Sequence, residues 1–282
     1  MEKFASGRKR NYYGKADVVV YRLRRDGMAR SGEAPVFGAN MKMLVYGDSF
    51  WPTYTSGDNT GLIATDSMKN FIQREALNYA EADLEGWCSF IGTKFLETYP
   101  QVEGVQVSAN EIPYSGLNDT KIAFVPSGPE QATARIEMNR SGTVEVASGI
   151  RGFKLLRLGG SAFQGFVRDR YTTLPDVTNR PLHMWLDLEW FYIEHPSGFG
   201  SVGITSAVRR LVHLVFSDFE SGSIQQVIYQ IGTKILAEIP AIGEIHLEAN
   251  NRTWDAVVEC DPIGIYTESR PPYGCLGLTL RR

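Results

Sequence analysis

Three short stretches of this chain gather residue types that can do chemistry. The first runs Ser161-Ala-Phe-Gln-Gly-Phe-Val-Arg-Asp-Arg-Tyr-Thr-Thr-Leu174 and continues to Arg180. It puts aromatics, cations and hydroxyls into one connection too polar for simple core. A planar guanidinium such as that of Arg180 can grip one edge of a flat anion through two parallel N–H donors. The second stretch, Ile63-Ala-Thr-Asp-Ser-Met-Lys-Asn70, runs into an expected helix, with Thr65-Asp66-Ser67 just before it. A helix start offers unpaired N–H groups and a positive dipole end, which suits an anion. Thr65, Asp66 and Ser67 equally suit simple capping. The third, Tyr13-Gly-Lys15, lies just before an aliphatic strand. In a partly dry pocket a lysine can lose its proton and act as a base, and with Thr65 it would make a base-and-hydroxyl pair. Each residue also has an ordinary reading: Lys15 and Arg180 as surface charges, Phe163 as core, and Ser223 of Ser223-Ile224-Gln225 as a helix cap.

The elements that must position these residues come from a repeat. Ile91-Gly-Thr-Lys-Phe-Leu-Glu-Thr-Tyr-Pro100 matches Ile231-Gly-Thr-Lys-Ile-Leu-Ala-Glu-Ile-Pro240. The register continues without a gap from Val102, Val105, Val107, Ala109 and Asn110 to Ile242, Ile245, Leu247, Ala249 and Asn250. A match held across a helix, a proline and a strand reads as a duplicated domain, residues 1–147 and 148–282. Each copy is expected to open on a strand, Val18–Leu23 or Lys154–Leu158. Two helices follow: Met68 to about Ala80 and Leu84–Thr98 in the first copy, Thr205–Asp218 and Ile224–Glu238 in the second. Trp87, Cys88, Ile91, Phe95 and Leu96 recur at helical spacing and make one apolar face. Three strands close each copy: Gly104–Ala109, Lys121–Val125 and Arg135–Met138, then Glu244–Ala249, Ala256–Glu259 and Gly277–Leu280. The fold class is α+β, antiparallel sheets with helices on one face. A four-stranded sheet leaves free edges that pairing between copies and chains would cover, which points toward an oligomer.

Composition narrows the class. The 282 residues are 43% hydrophobic and 22% charged, with a net charge of −3, which implies a globular chain with no strong pull toward nucleic acid or membrane. Three cysteines, Cys88, Cys260 and Cys275, without Cys-x-x-Cys spacing argue against a disulfide framework or a zinc site. No apolar signal segment, bilayer-length run or Ser-Lys-Leu ending is present, so a cytoplasmic, bacterial protein is expected.

The three stretches together resemble the urate oxidase (uricase) family, across both halves of the chain. The resemblance implies two tunnelling-fold domains per chain and a homotetramer around a tunnel. It implies oxidation of urate by oxygen and water to 5-hydroxyisourate and hydrogen peroxide, with no cofactor and no metal. In the family pattern Lys15 and Thr65 form the catalytic relay and the Asp66 backbone binds the purine. Phe163 stacks on the substrate, Leu174 and Ile224 wall the site, and Arg180 and Gln225 grip opposite edges. Asn251 holds oxygen or water above the ring, and sites form across subunit boundaries. Aligned without a gap from Glu244, the family's Asn-x-His motif reads Asn251-Arg252-Thr253 here, so Thr253 stands where the histidine is expected and would position a water; a register shifted by one puts Asn250 and Arg252 there, and neither supplies a histidine. None of the four histidines substitutes locally. His246 lies about 23 Å away along a strand, His213 is expected to pack on an apolar helix, and His183 and His195 show no ligand spacing. Smaller departures are Gly159-Gly160, Asn179 and Pro181–Trp185. Besides a urate oxidase, the pattern fits an enzyme for another flat anion, such as an oxidised purine or a pterin, or a binding homologue without turnover.

Overall fold

The computed structural model describes residues 11–25, 35–79, 81–118, 122–194, 202–218, 220–260 and 262–282. Its elements in chain order are β1 (Tyr13–Leu23), β2 (Val36–Tyr46), α1 (Trp51–Thr55), α2 (Thr65–Glu75), α3 (Leu84–Thr98), β3 (Gly104–Ile112), β4 (Tyr114–Gly116), β5 (Phe124–Pro126), β6 (Gln131–Asn139), β7 (Gly142–Phe163), β8 (Val177–Tyr192), α4 (Val202–Asp218), α5 (Ile224–Glu238), β9 (Ile242–Asn251), β10 (Asp255–Cys260), β11 (Ile263–Thr267) and β12 (Cys275–Arg281). The contacts divide the chain into residues 1–149 with 194–203, and residues 150–193 with 204–282.

In the first unit β1, β2, β3 and β6 are hydrogen-bonded in that order, antiparallel, with β7 next. Met41, Met43 and Val45 of β2 and Val105 and Val107 of β3 bury one face of this sheet. Trp87, Ile91 and Phe95 of α3 and Met68 and Ile72 of α2 are buried with them. In the second unit β7, β8, β9 and β12 follow one another. Leu182, Met184, Leu186, Leu188 and Trp190 alternate inward along β8 and meet Val208, Leu211 and Val212 of α4 and Val227, Ile231 and Ile235 of α5. Burial of these side chains at about 25 cal/mol per Å² of apolar surface is the main stabilising contribution in each unit.

The repeat has a physical basis at two points. Gly92 and Gly232, the glycines of the two Ile-Gly-Thr-Lys segments, sit where the helix lies closest to its sheet. A Cβ would come within 2.6 Å of Met138 Sδ at Gly92 and 2.8 Å of Leu280 Cδ1 at Gly232. Arginine closes each helix C-terminus. Arg140 donates to the carbonyl of Leu96 in the last turn of α3 (3.3 Å) and to those of Tyr99 (2.9 Å) and Pro100 (2.8 Å) just beyond it. Arg282 donates to the carbonyls of Leu236 and Ile239. Each guanidinium thus takes up the last-turn carbonyl, Leu96 or Leu236, whose helical partner would be a proline without an N–H, and opposes the negative dipole end.

The structure corrects several expected elements. Each unit has four sheet strands as anticipated, but the second strand of each, β2 and β8, falls where no strand was expected. The expected strand Ala256–Glu259 is present as β10 and Phe124–Val125 of the expected Lys121–Val125 as part of β5, but neither joins the sheet that carries the helices. Lys121 lies outside the described residues, β5 pairs only with β4, and β10 pairs only with β11. All six residues of β10 are exposed, so its valines reflect β propensity without a core beneath. α2 begins at Thr65 rather than Met68 and ends at Glu75, with a 3₁₀ turn over Ala76–Asn78. Ala80 lies outside the described residues. α4 begins at Val202 rather than Thr205, and α1 was not anticipated. His213 is exposed on α4, with its ring edge-on to Phe153 at 5.8 Å, because the apolar face of the helix runs through Leu211 and Val212. Among the described residues no helix is long and apolar enough to cross a membrane.

Candidate active site

In the second unit, six of the anticipated residues line one pocket of about 170 Å³: Phe163, Leu174, Arg180, Ile224, Gln225 and Asn251. Gly274 and Leu276 complete it. Phe163 ends β7, Arg180 lies near the start of β8, and Leu174 comes from the connection between them. Ile224 and Gln225 open α5, and Asn251 closes β9. Gly274 is fixed by its carbonyl, which accepts the Asn251 N–H at 2.9 Å. Gly274 and Leu276 were missed; the alternation of Leu276, Leu278 and Leu280 along β12 was the available signal.

The pocket favours an anion. Arg180 is half-buried, and its Nε is buried with no hydrogen-bond partner among the described residues. Burial pushes the guanidinium pKa below its ordinary value, yet a guanidinium stays charged at neutral pH. A partly desolvated cation without a counter-charge is costly unless a ligand supplies one. The start of α5 adds donors. Ser223 Oγ caps the helix by accepting the Gln226 N–H at 3.2 Å. Among the described residues the N–H groups of Ile224 and Gln225 have no partner, and they sit at the positive end of the dipole.

Thr253 does not line this pocket. It touches it through Asn251, whose Oδ1 accepts the Thr253 N–H at 3.0 Å and the Thr253 hydroxyl at 2.7 Å. Both acceptor positions of the amide oxygen are therefore used, which fixes the amide orientation, and among the described residues its Nδ2 donors have no partner. Among the described residues, His183 bonds to this motif. Its carbonyl accepts the Arg252 N–H at 3.0 Å and its Nδ1 lies 3.2 Å from the Arg252 carbonyl. Alternation puts His183 on the sheet face opposite Arg180 and Met184. His195 lies outside the described residues.

Lys15 of β1 and Thr65 and Asp66 at the start of α2 all lie in the first unit, and the charge of Lys15 is felt at Asp66. Lys15 faces Met43 across β1 and β2, and the register shifts by one residue before Val18 meets Met41. Without this bulge, Lys15 and Val18 would point to opposite faces; with it, the lysine and the core valines Val18 and Val20 share the helix-bearing face. Gly14 is required here, because a Cβ would lie 1.9 Å from the Met43 carbonyl oxygen. The Tyr13 hydroxyl accepts the Ile63 N–H at 3.0 Å, which ties the approach to α2 to the strand carrying Lys15. Ala64, not Thr65, occupies the cap position and provides no side-chain cap. The capping reading of Thr65-Asp66-Ser67 is thereby corrected, and among the described residues their N–H groups are open. The Asp66 carboxylate is taken up by Lys69 Nζ (2.5 Å) and Asn70 Nδ2 (3.0 Å). Those bonds, with the nearby charge of Lys15, hold its pKa below the usual carboxylate range. What Asp66 has left to offer a ligand is its backbone.

One family model, described as uricase, matches residues 11–137 and again 146–272. The chain belongs to the uricase family. It is 37% identical over 273 residues to the uricase of Haloferax volcanii, covering 87% of this chain and 89% of that protein. It is 36% identical over 293 residues to a uric acid degradation bifunctional protein of Bacillus sp. (strain TB-90). The chain spans 58% of that relative's length, and 60% of a similar bifunctional protein from Bacillus subtilis. The crystal structure of urate oxidase from Bacillus sp. TB-90 superposes with a TM-score of 0.87 at 36% identity, covering 96% of this chain and all of that one. The two tandem uricase domains are the tunnelling fold expected from sequence. Two departures from the family pattern meet each other rather than the pocket. The Gly160 N–H donates to Asn179 Oδ1 at 2.7 Å, and alternation along β8 sends Asn179 to the face opposite Arg180. Of Pro181–Trp185, Leu182 and Met184 pack in the core.

Proposed function

We propose that this uricase-family chain oxidises urate: urate, O₂ and water become 5-hydroxyisourate and H₂O₂. The observation that carries the reading is Arg180, a half-buried guanidinium without a counter-charge among the described residues, in a pocket lined by Phe163, Gln225 and Asn251. That set suits a flat, nitrogen-rich anion: Arg180 pairs with one edge, Gln225 with the other, and Phe163 lies on the face. Leu174 and Ile224 exclude water from the ring edge.

In this account Lys15 and Thr65 take a proton from the bound ring, and the Asp66 N–H orients it. Deprotonation makes the ring electron-rich, and Arg180 stabilises the added charge. The ring gives two electrons to O₂, which takes up two protons and leaves as H₂O₂. Water then adds its oxygen to the oxidised ring carbon. The substrate supplies both electrons, so no cofactor enters the balance. Asn251 offers its Nδ2 donors to the oxygen or water above the ring, and Thr253 acts on the reaction by holding that amide. Lys15 and Thr65 belong to one unit of the chain and the pocket to the other. A homotetramer in which one protomer completes another's site is the assembly proposed, and a preparation held monomeric is expected to be inactive.

Equilibrium dialysis against urate in oxygen-free buffer tests the binding step without turnover. Wild-type protein should bind urate, and Arg180→Gln should weaken binding on the order of a hundredfold, the value of about 1.5–3 kcal/mol for a hydrogen-bonded charged group. Equal affinity in the variant would remove Arg180 from the site and the main support for this reading.

A further inference from the structure

We propose that Arg168 is a positioning residue that holds two walls of the pocket, Phe163 and Leu174, in one arrangement. The connection between β7 and β8, residues 164–176, has no strand or helix of its own; beyond one turn, Thr172 N–H to the Asp169 carbonyl at 3.1 Å, its bonds run through side chains. Arg168 makes three side-chain contacts at once. Its guanidinium lies over the Phe166 ring at 4.8 Å, and that ring stacks on Phe163 with centroids 4.9 Å apart and planes 14° from parallel. One of its nitrogens donates to the Leu174 carbonyl at 3.3 Å. The other pairs with Asp176 Oδ2 at 3.0 Å, while Asp176 Oδ1 accepts the Gly165 N–H at 3.2 Å. Gly165 has a φ of 72°, a turn that lets the chain double back between the two aromatics.

Each contact is half-exposed and weak alone. Their effect lies in sharing one rigid fork, which can stack and donate in plane at the same time. Phe163 is thereby backed by a second ring and a cation, and Leu174 is fixed to the same guanidinium by its backbone. An ordered wall binds a flat ligand without first having to be ordered, so losing the hub weakens binding more than it slows the bound reaction. A lysine keeps the charge opposite Asp176 but cannot provide the stacked fork, so Arg168→Lys should fail to rescue.

This inference rests on the pocket being the urate site, and the test separates the two. Hydrogen exchange of ligand-free protein reads the hub directly. In Arg168→Gln and Arg168→Lys the amides of Gly165, Asp169, Tyr171 and Thr172 should exchange about tenfold faster, with α5 and β8 unchanged. Urate affinity in oxygen-free buffer should fall about tenfold in both variants, with KM rising similarly and kcat staying within about threefold. Unchanged exchange at these amides would overturn the hub. So would faster exchange with unchanged urate affinity, because the walls would then not depend on it. If wild-type protein binds no urate, the proposed function fails, and the exchange result still decides the hub.

Discussion

Replacing Thr253 with valine separates two roles that the sequence leaves joined. As a member of a proton relay, Thr253 would cost about 10²–10⁴-fold in rate when its hydroxyl is lost. The geometry gives it another role. Its hydroxyl and N–H both donate to Asn251 Oδ1, at 2.7 and 3.0 Å. Valine keeps the shape and the N–H but removes the shorter bond. At about 1 kcal/mol net for each hydrogen bond, two bonds favour the assigned amide orientation by roughly 30-fold and one bond by roughly 5-fold. The correctly oriented fraction then falls only from about 97% to about 84%, so kcat/KM should drop by less than about twofold. Thr253→Ser should match the wild type. Asn251→Ala removes the donor itself and should cost about 10²-fold or more. The assay is the initial rate of urate loss, followed by its ultraviolet absorbance at varied oxygen. A hundredfold loss in Thr253→Val, with Asn251→Ala no worse, would refute the orienting role and put the threonine hydroxyl on the proton path.

Other perturbations test how the fold holds the site. Gly14→Ala should destabilise the first unit by several kcal/mol, because the new Cβ would meet backbone at 1.9 Å; denaturant unfolding measures it, and a loss under about 0.5 kcal/mol would show that β1 can shift freely. Arg140→Ala and Arg282→Ala should each cost about 1–3 kcal/mol, since carbonyls at the ends of α3 and α5 lose a charged donor; similar losses at the two sites would fit their parallel roles. Stability should fall as pH rises past about 10, where tyrosine ionises in the unfolded chain. Burial and the bond to Asp83 hold the Tyr79 phenol neutral above its ordinary range in the folded state. The folded state therefore keeps a proton the unfolded state has lost, and Tyr79→Phe should flatten that alkaline slope.

What was legible in the sequence follows from what leaves a local mark. α3 and α5 match their expected bounds because helical apolar spacing, Asp83 and Ser223 as caps, and prolines at 100 and 240 all agree. β8 was missed although Leu182, Met184, Leu186 and Leu188 alternate, because Pro181 and the interleaved His183 and Trp185 mask the period. β2 was missed because it is buried along almost its whole length, so alternation is lost, and Gly38, Asn40 and Lys42 have low strand propensity. The pocket residues were legible only through the family resemblance, since nothing local distinguishes Phe163 or Gln225 from ordinary residues. The start of α2 was misread because Thr, Asp and Ser look like caps, whereas the strand beneath, through the Tyr13–Ile63 bond, sets where the helix begins. The bulge after Lys15 was not legible at all; it shows only when β1 is laid against β2.

The proposed oxidation of urate by oxygen, with Lys15 and Thr65 as the proton-handling pair, is tested most directly by its stoichiometry. Urate loss, oxygen uptake and peroxide formation should be recorded together on metal-stripped protein. One oxygen should be consumed and one peroxide formed per urate, with all three signals lost in Lys15→Ala and Thr65→Ala while urate binding in oxygen-free buffer persists. Folded protein that binds urate but consumes neither urate nor oxygen would contradict the proposed oxidation, as would undiminished turnover in both variants.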